Sequence, residues 1–298
     1  MIMKAQPIIA SVISAIALSF SSYLEGASFI PLGFLRSADN RGRAFGVSDD
    51  GAFVGGDSSA SGTDFVQQAV RWTVGASVQG LGFLPGASRS SAFAMSADGQ
   101  VLVGVSGGRA FRWTTQSGMA DLGMLPGKTY HVAWGVSGDG SVVVGSGDIG
   151  GNEQFVEPFR WTANGGMVGL GFLPGTSRGE ALAISRDGQV IVGWCSGNNK
   201  DEAFRRGPDG VMRGLGFLPG YAHSIARGVS SNGSVIVGEC LNASGNSQAF
   251  RWTESGGMQG LGVLAGYNQS YANGVSGENR GQTITLAERS VRLDRFHS

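Results

Sequence analysis

The chain has 298 residues, 52 of them glycine and 8 proline, with 15% charged side chains and a formal net charge of zero. Glycine at that level without a G-X-Y period excludes collagen and fits a chain full of tight turns. No basic stripe or polybasic segment is present, which argues against nucleic acid and anionic membrane surfaces as partners, and the low charge favours self-association.

Residues 1–27 read as an export signal. Lys4 supplies a positive start, and Pro7 to Phe20 is an unbroken run of apolar and small residues. The run suits a signal peptide and is short for a bilayer span. Cleavage is expected near Ser19 or Ala27, with an uncleaved amino-terminal anchor as the alternative. No later stretch is long and apolar enough for a transmembrane helix, so no membrane span is expected after cleavage.

Residues 28–276 are repetitive. Leu32, Leu81, Leu122, Leu170, Leu215 and Leu261 each open a Leu-Gly phrase, at spacings of 49, 41, 48, 45 and 46 residues. Within one unit, Ala92-Phe-Ala-Met-Ser96 alternates into Asp98-Gly99, and Val101-Leu-Val-Gly104 follows as a partner strand. Asp50-Gly51, Asp139-Gly140, Asp187-Gly188 and Asn232-Gly233 repeat the hairpin signal, for which a type I′ turn is expected. Ala110-Phe-Arg-Trp-Thr114 reads as a third strand, and after a short turn the Leu-Gly phrase reads as a fourth. Four antiparallel strands per unit of about 46 residues predict an all-β propeller, five full repeats plus a degenerate or truncated sixth. A β-helix is the alternative, although its coils are shorter.

Phe111-Arg-Trp-Thr, Gly166-Met and Leu170-Gly-Phe-Leu-Pro-Gly175 together resemble the HAF repeat of bacterial extracellular proteins, over roughly residues 29 to 276. The resemblance implies an exported, propeller-like protein, secreted, on the cell surface or periplasmic, with no established catalytic activity. The histidine that names the family is replaced by Gln68, Arg109, Glu157, Glu202 and Gln248.

Residues 277–298 lose the pattern abruptly. They are either degenerate strands completing a sixth blade or an aberrant tail after a truncation, which would leave strand edges open. Cys195 and Cys240 occupy the same place in neighbouring repeats. Adjacent blades hold such positions too far apart for a disulfide unless they lie near the axis, so two free thiols are expected.

Arg71, Arg112, Arg160, Arg205 and Arg251 recur beside the tryptophans; Phe and Trp read as inter-blade packing and each Arg as pairing locally or stacking on an aromatic, not as one sugar site per blade. In an up-and-down sheet alternate loops share a face. The variable loops before the first and after the second strand of each blade therefore emerge together, where binding residues sit on a rigid scaffold. Tyr130, His131, Arg178, Glu180, Tyr221, His223 and Tyr267 break the repeat in one set of loops, and Asp148, Asn152, Glu153, Trp194, Lys200 and Asp201 do so in the other. Aromatic and polar groups mixed in this way suit a saccharide or protein ligand. Tyr130, His131, Arg178, Trp194, Tyr221, His223 and Tyr267 form the candidate binding set.

No nucleophile elbow, Walker loop or metalloprotease motif occurs, so no catalytic residue, cofactor or metal site is assigned. Asp148, Asn152 and Glu153 offer oxygen ligands for calcium without the EF-hand pattern. Glu153 and Glu157 form a carboxylate pair for the alternative of a secreted carbohydrate-active enzyme. A truncated structural fragment is a third alternative. The reading is a non-enzymatic exported repeat protein presenting a loop face for adhesion or ligand binding.

Overall fold

A computed structural model of the chain describes residues 30–59, 66–149, 152–198, 200–275 and 283–286. Residues 1–27, read as an export signal, and residues 277–298 apart from 283–286 lie outside the described residues. From Gly33 onward the chain forms one compact unit.

Five four-stranded antiparallel sheets succeed one another, each wound in simple sequence order. Blade 1 holds β1 (Arg41–Val47), β2 (Phe53–Ser59), β3 (Gln67–Thr73) and β4 (Val78–Gly82). Blade 2 holds β5 (Ser90–Met95), β6 (Val101–Ser106), β7 (Arg109–Thr114) and β8 (Gly118–Asp121). Blade 3 holds β9 (Tyr130–Val136), β10 (Val142–Ile149), β11 (Asn152–Thr162) and β12 (Gly166–Gly169). Blade 4 holds β13 (Arg178–Ile184), β14 (Ile191–Gly197), β15 (Lys200–Arg206) and β16 (Met212–Gly214). Blade 5 holds β17 (His223–Val229), β18 (Val235–Leu241), β19 (Ser247–Thr253) and β20 (Gly257–Gly260). A sixth sheet pairs β21 (Tyr271–Val275) with β22 (Thr283–Leu286). The first strands β1, β5, β9, β13, β17 and β21 contact one another in turn, so the fold is a propeller.

The core lies between blades. Ala69, Leu81 and Leu84 of blade 1 pack with Leu102, Phe111 and Trp113 of blade 2. Val103 and Leu125 of blade 2 meet Val143 and Phe159 of blade 3, and the layer repeats onward to blade 5. A single twisted sheet cannot bury both faces, and stacking supplies the missing cover. Arg71 and Arg112 of the repeated arginines reach into this layer. Arg71 lies 4.7 Å from the Phe53 ring and 5.1 Å from that of Trp113, and donates to the Gly99 carbonyl of the next blade. Arg112 donates likewise to the Gly140 carbonyl.

The hairpin turn differs from the type I′ expectation. The glycines Gly51, Gly99, Gly140, Gly188 and Gly233 have φ of 70–71°, but the Asp or Asn before each does not take positive φ. The turn is instead Ser-x-Asp-Gly, closed by a glycine N–H to serine carbonyl bond such as Gly99 to Ser96. Asp98 Oδ1 accepts from the Ser96 hydroxyl at 2.6 Å and from the Gln100 N–H at 3.0 Å, while Ser96 Oγ accepts the Val101 N–H at 2.9 Å. The acidic side chain thus serves as an acceptor that closes the loop, a local alternative to backbone pairing. These turns also bond to one another around the axis: Asp49 N–H to Ala97 O, Ala97 N–H to Gly138 O, Gly138 N–H to Arg186 O, and Asp187 N–H to Ser231 O. Arg186 and Asp49 form an ion pair across this narrow end.

Candidate functional site

Every first strand carries a β-bulge at the same place. Pairing skips one residue between Ala44 and Gly46, Ala92 and Ala94, Ala133 and Gly135, Ala181 and Ala183, Ala226 and Gly228, and Ala272 and Gly274. The skipped residues are Phe45, Phe93, Trp134, Leu182, Arg227 and Asn273. A bulge re-aims the side chain of its extra residue. All six line one cavity of about 540 Å³ on the axis, together with Glu180, Trp194, Asp201 and Ile225.

A glycine makes the bulge possible. Gly56, Gly104, Gly145, Gly193 and Gly238 on the second strands face the bulge, and a Cβ there would stand 1.8–1.9 Å from the carbonyl oxygen of Arg43, Ser91, Val132, Glu180 or Ile225. This is why each second strand reads Val-Gly or Gly-Gly at that point. The residue after each glycine again breaks the repeat: Asp57, Val105, Ser146, Trp194 and Glu239.

The funnel is chemically divided. Phe45, Phe93 and Trp134 make a continuous aromatic arc, with ring centroids 5.3 Å and 4.8 Å apart. Trp134 Nε1 donates to Ser146 Oγ at 3.0 Å, Ser146 Oγ donates to Glu180 Oε1 at 3.1 Å, and Trp194 Nε1 donates to Glu180 Oε2 at 3.3 Å. One carboxylate therefore orients two indoles on neighbouring blades. Opposite, Arg227 donates through Nε to Glu239 Oε1 at 2.8 Å and pairs with it again through Nη2. At the rim Arg43 grips the buried Asp57 at 3.1 and 2.9 Å and lies 5.4 Å from the Phe45 ring. Asp57 also accepts from the Gln67 amide and the Ser91 hydroxyl.

The candidate residues from the sequence divide. Trp194 lines the funnel, on β14 instead of in a loop. Arg178 begins β13 and stacks on Trp194 at 5.9 Å. His223 begins β17, with Nδ1 accepting the Asp201 N–H at 3.2 Å and lying 3.2 Å from its carboxylate. Tyr130 begins β9, and burial followed by the charge of Asp148 raises its pKa. Tyr221 packs on the layer between blades 4 and 5, and Tyr267 is exposed on its loop. His131 is a correction. It is fully buried between blades 2 and 3, with Nε2 accepting the Leu125 N–H at 3.0 Å. In that register other blades use Ser90, Ser224 and Ser270, whose hydroxyls accept the N–H of Ala69, Ala203 and Ala249 of the blade before. His131 is thus an inter-blade fastener, and burial lowers its pKa.

Phe45, Phe93, Trp134, Leu182, Arg227 and Asn273 were not among the sequence candidates. Their signal is one variable position inside an otherwise constant Ala-x-Gly/Ala unit. Among the described residues no group of three or more His, Cys, Asp or Glu could hold a metal ion. The side chains of Asn152 and Glu153 lie outside the described residues. Cys195 and Cys240 are free and fully buried in separate layers, so the expectation of two free thiols stands. Their sulfurs contact those of Met212 and Met258 at 3.6 and 3.4 Å.

No family model and no curated protein matches the chain. Solved structures do. A candidate TolB of Agrobacterium tumefaciens superposes with a TM-score of 0.54 at 16% identity, over 75% of this chain and 81% of the other. TolB of Acinetobacter baumannii gives 0.50 at 12%, over 76% and 58%. A puromycin-hydrolysing peptidase of Mycobacterium tuberculosis gives 0.51 at 14%, over 78% and 39%. At such identities the likeness concerns the propeller fold alone.

Proposed function

We propose that this chain is an exported, non-enzymatic binding propeller that holds a saccharide or peptide ligand in the axial funnel. One observation carries the reading: each of the six positions that the bulges turn into the cavity varies inside an otherwise constant Ala-x-Gly/Ala unit. Packing symmetry would favour the same residue six times, whereas a binding surface needs different groups at defined places. Fixed acceptors hold the lining side chains, Glu180 for Ser146 and Trp194 and the buried Glu239 for Arg227, which suits a preorganised recognition surface. Export rests on the amino-terminal signal and on the HAF resemblance.

The test is equilibrium binding to a panel of saccharides and peptides, followed by tryptophan fluorescence because Trp134 and Trp194 line the cavity. Leu182→Trp fills the funnel from one wall and is expected to abolish binding while the melting temperature holds. Unchanged affinity in that variant would place the ligand on the loops around Tyr221 and Tyr267 instead. Turnover of a bound saccharide would overturn the non-enzymatic reading.

A further inference from the structure

The residue after the repeated arginine is Trp72, Trp113, Trp161 and Trp252 in blades 1, 2, 3 and 5, but Arg206 in blade 4. Successive strand residues point to opposite faces, so the repeated arginine turns to the blade that follows and its neighbour to the blade before. Arg71 of blade 1 shows the contact this makes, 5.1 Å from the Trp113 ring of blade 2. Between blades 3 and 4 the same register sets Arg160 toward Arg206, cation against cation. Both side chains are partly buried, and both line one cavity of about 380 Å³ beside the turns at Gly165-Gly166 and Gly188-Gln189. Arg112 spends its Nε on the Gly140 carbonyl of the next blade, whereas among the described residues neither Arg160 nor Arg206 makes a hydrogen bond or an ion pair. The acid in the lining, Asp209, is held by Arg213 at 2.7 Å and accepts the Val211 N–H at 3.1 Å. The cavity thus carries two uncommitted positive charges, and a partly buried guanidinium without a counter-charge is costly. Thr162 shares the face of Arg160, and its hydroxyl accepts the Gly165 N–H at 3.2 Å while keeping a proton to donate.

We propose that this cavity is a second binding site, which takes a phosphate or sulfate monoester with its oxyanion bridged by Arg160 and Arg206. A guanidinium is a planar fork of donors that meets such oxygens in pairs. Two forks and a hydroxyl suit the three terminal oxygens of an ester better than the two of a carboxylate. The cavity is larger than one oxyanion, and Val168, Leu170 and Ile191 line the space left for the group it esterifies. The site shares no lining residue with the axial funnel and does not depend on what the funnel binds.

Four probes with one sugar body test the site: glucose 6-phosphate, glucose 6-sulfate, glucuronate and glucose. Binding is read by calorimetry on the full chain at constant ionic strength, which holds screening equal. At least one ester is expected to bind about tenfold tighter than glucose, and more tightly than glucuronate, the tighter ester naming the source of the oxyanion. Arg206→Trp restores the residue of the other blades and should remove the preference, with a melting temperature no lower than the wild type in the absence of ligand. Arg160→Gln should remove it too, and serves as the test if the larger ring of Arg206→Trp disturbs the groove. Leu182→Trp, which fills the funnel, should leave the preference intact. An ester preference that survives in both arginine variants, or is lost in Leu182→Trp, would place the anion elsewhere and overturn the site. Esters that bind no better than glucose would overturn it as well, and glucuronate binding as tightly as the esters would overturn the ester class.

Discussion

His131 shows how little the type of a residue says about its work. A histidine beside a tyrosine in a variable stretch reads as a surface ligand, yet the ring is sealed between two blades. Its Nε2 accepts a backbone N–H, and among the described residues Nδ1 has no partner. Burial disfavours the charged ring, so its folded pKa lies below the ordinary value of 6.5. The unfolded chain therefore binds the extra proton first as pH falls. Stability from this site is complete above about pH 6.5 and declines below it, by at most about 1.4 kcal/mol per pH unit until the folded group titrates. Urea unfolding of the wild type between pH 7.5 and 5 is expected to show that slope. His131→Ser, which restores the residue used in other blades, should flatten it. Equal slopes would place the proton uptake elsewhere.

The repeated element is a hairpin with a chemical lock. Ser137 and Asp139 show it as Ser96 and Asp98 do: Asp139 Oδ1 accepts from the Ser137 hydroxyl at 2.6 Å and the Ser141 N–H at 3.0 Å. The serine bond, first among the causes, holds Asp50, Asp98 and Asp139 below the usual carboxylate pKa. For such depressed acids the stabilisation is complete above the unfolded pKa near 4 and is lost as pH falls through the lower folded value. Blade 5 makes the same turn with Asn232, which accepts from Ser230 and Ser234 without a charge. Asp139→Asn is therefore expected to cost less than about 1 kcal/mol at neutral pH. It should also lessen the loss of stability below pH 4, as chemical denaturation across pH would show. The dipeptide was legible in the sequence as a turn, but its type was not. The serine three residues before the glycine decides it, through a side-chain bond that a dipeptide signal ignores.

At the scale of the molecule, one repeat position has two fates. Leu84, Leu125, Leu173 and Leu218 of the Leu-Pro-Gly phrases are buried against the blade that follows, whereas Leu264 is 62% exposed beside the two-stranded sixth sheet. Val263 and Tyr267 are exposed there too, and so are Phe45 and Val47 of β1. Leu218→Ala is expected to destabilise by about 2–5 kcal/mol, and Leu264→Ala to stay within about 0.5 kcal/mol of the wild type. Thermal unfolding of the two variants checks this, and a large loss in Leu264→Ala would mean that a further strand covers that face.

The sequence by itself determined the four-strand unit, its period and the hairpin positions, because each is a local pattern that recurs and needs no distant partner. It also marked the variable residues near the loops, Trp194 and Glu180 among them. Only the tertiary structure decided which variable residues meet. Phe45, Phe93, Trp134, Leu182, Arg227 and Asn273 come from six separate repeats, and they share a cavity because a bulge turns each away from its sheet and the curvature of the ring aims all six at one axis.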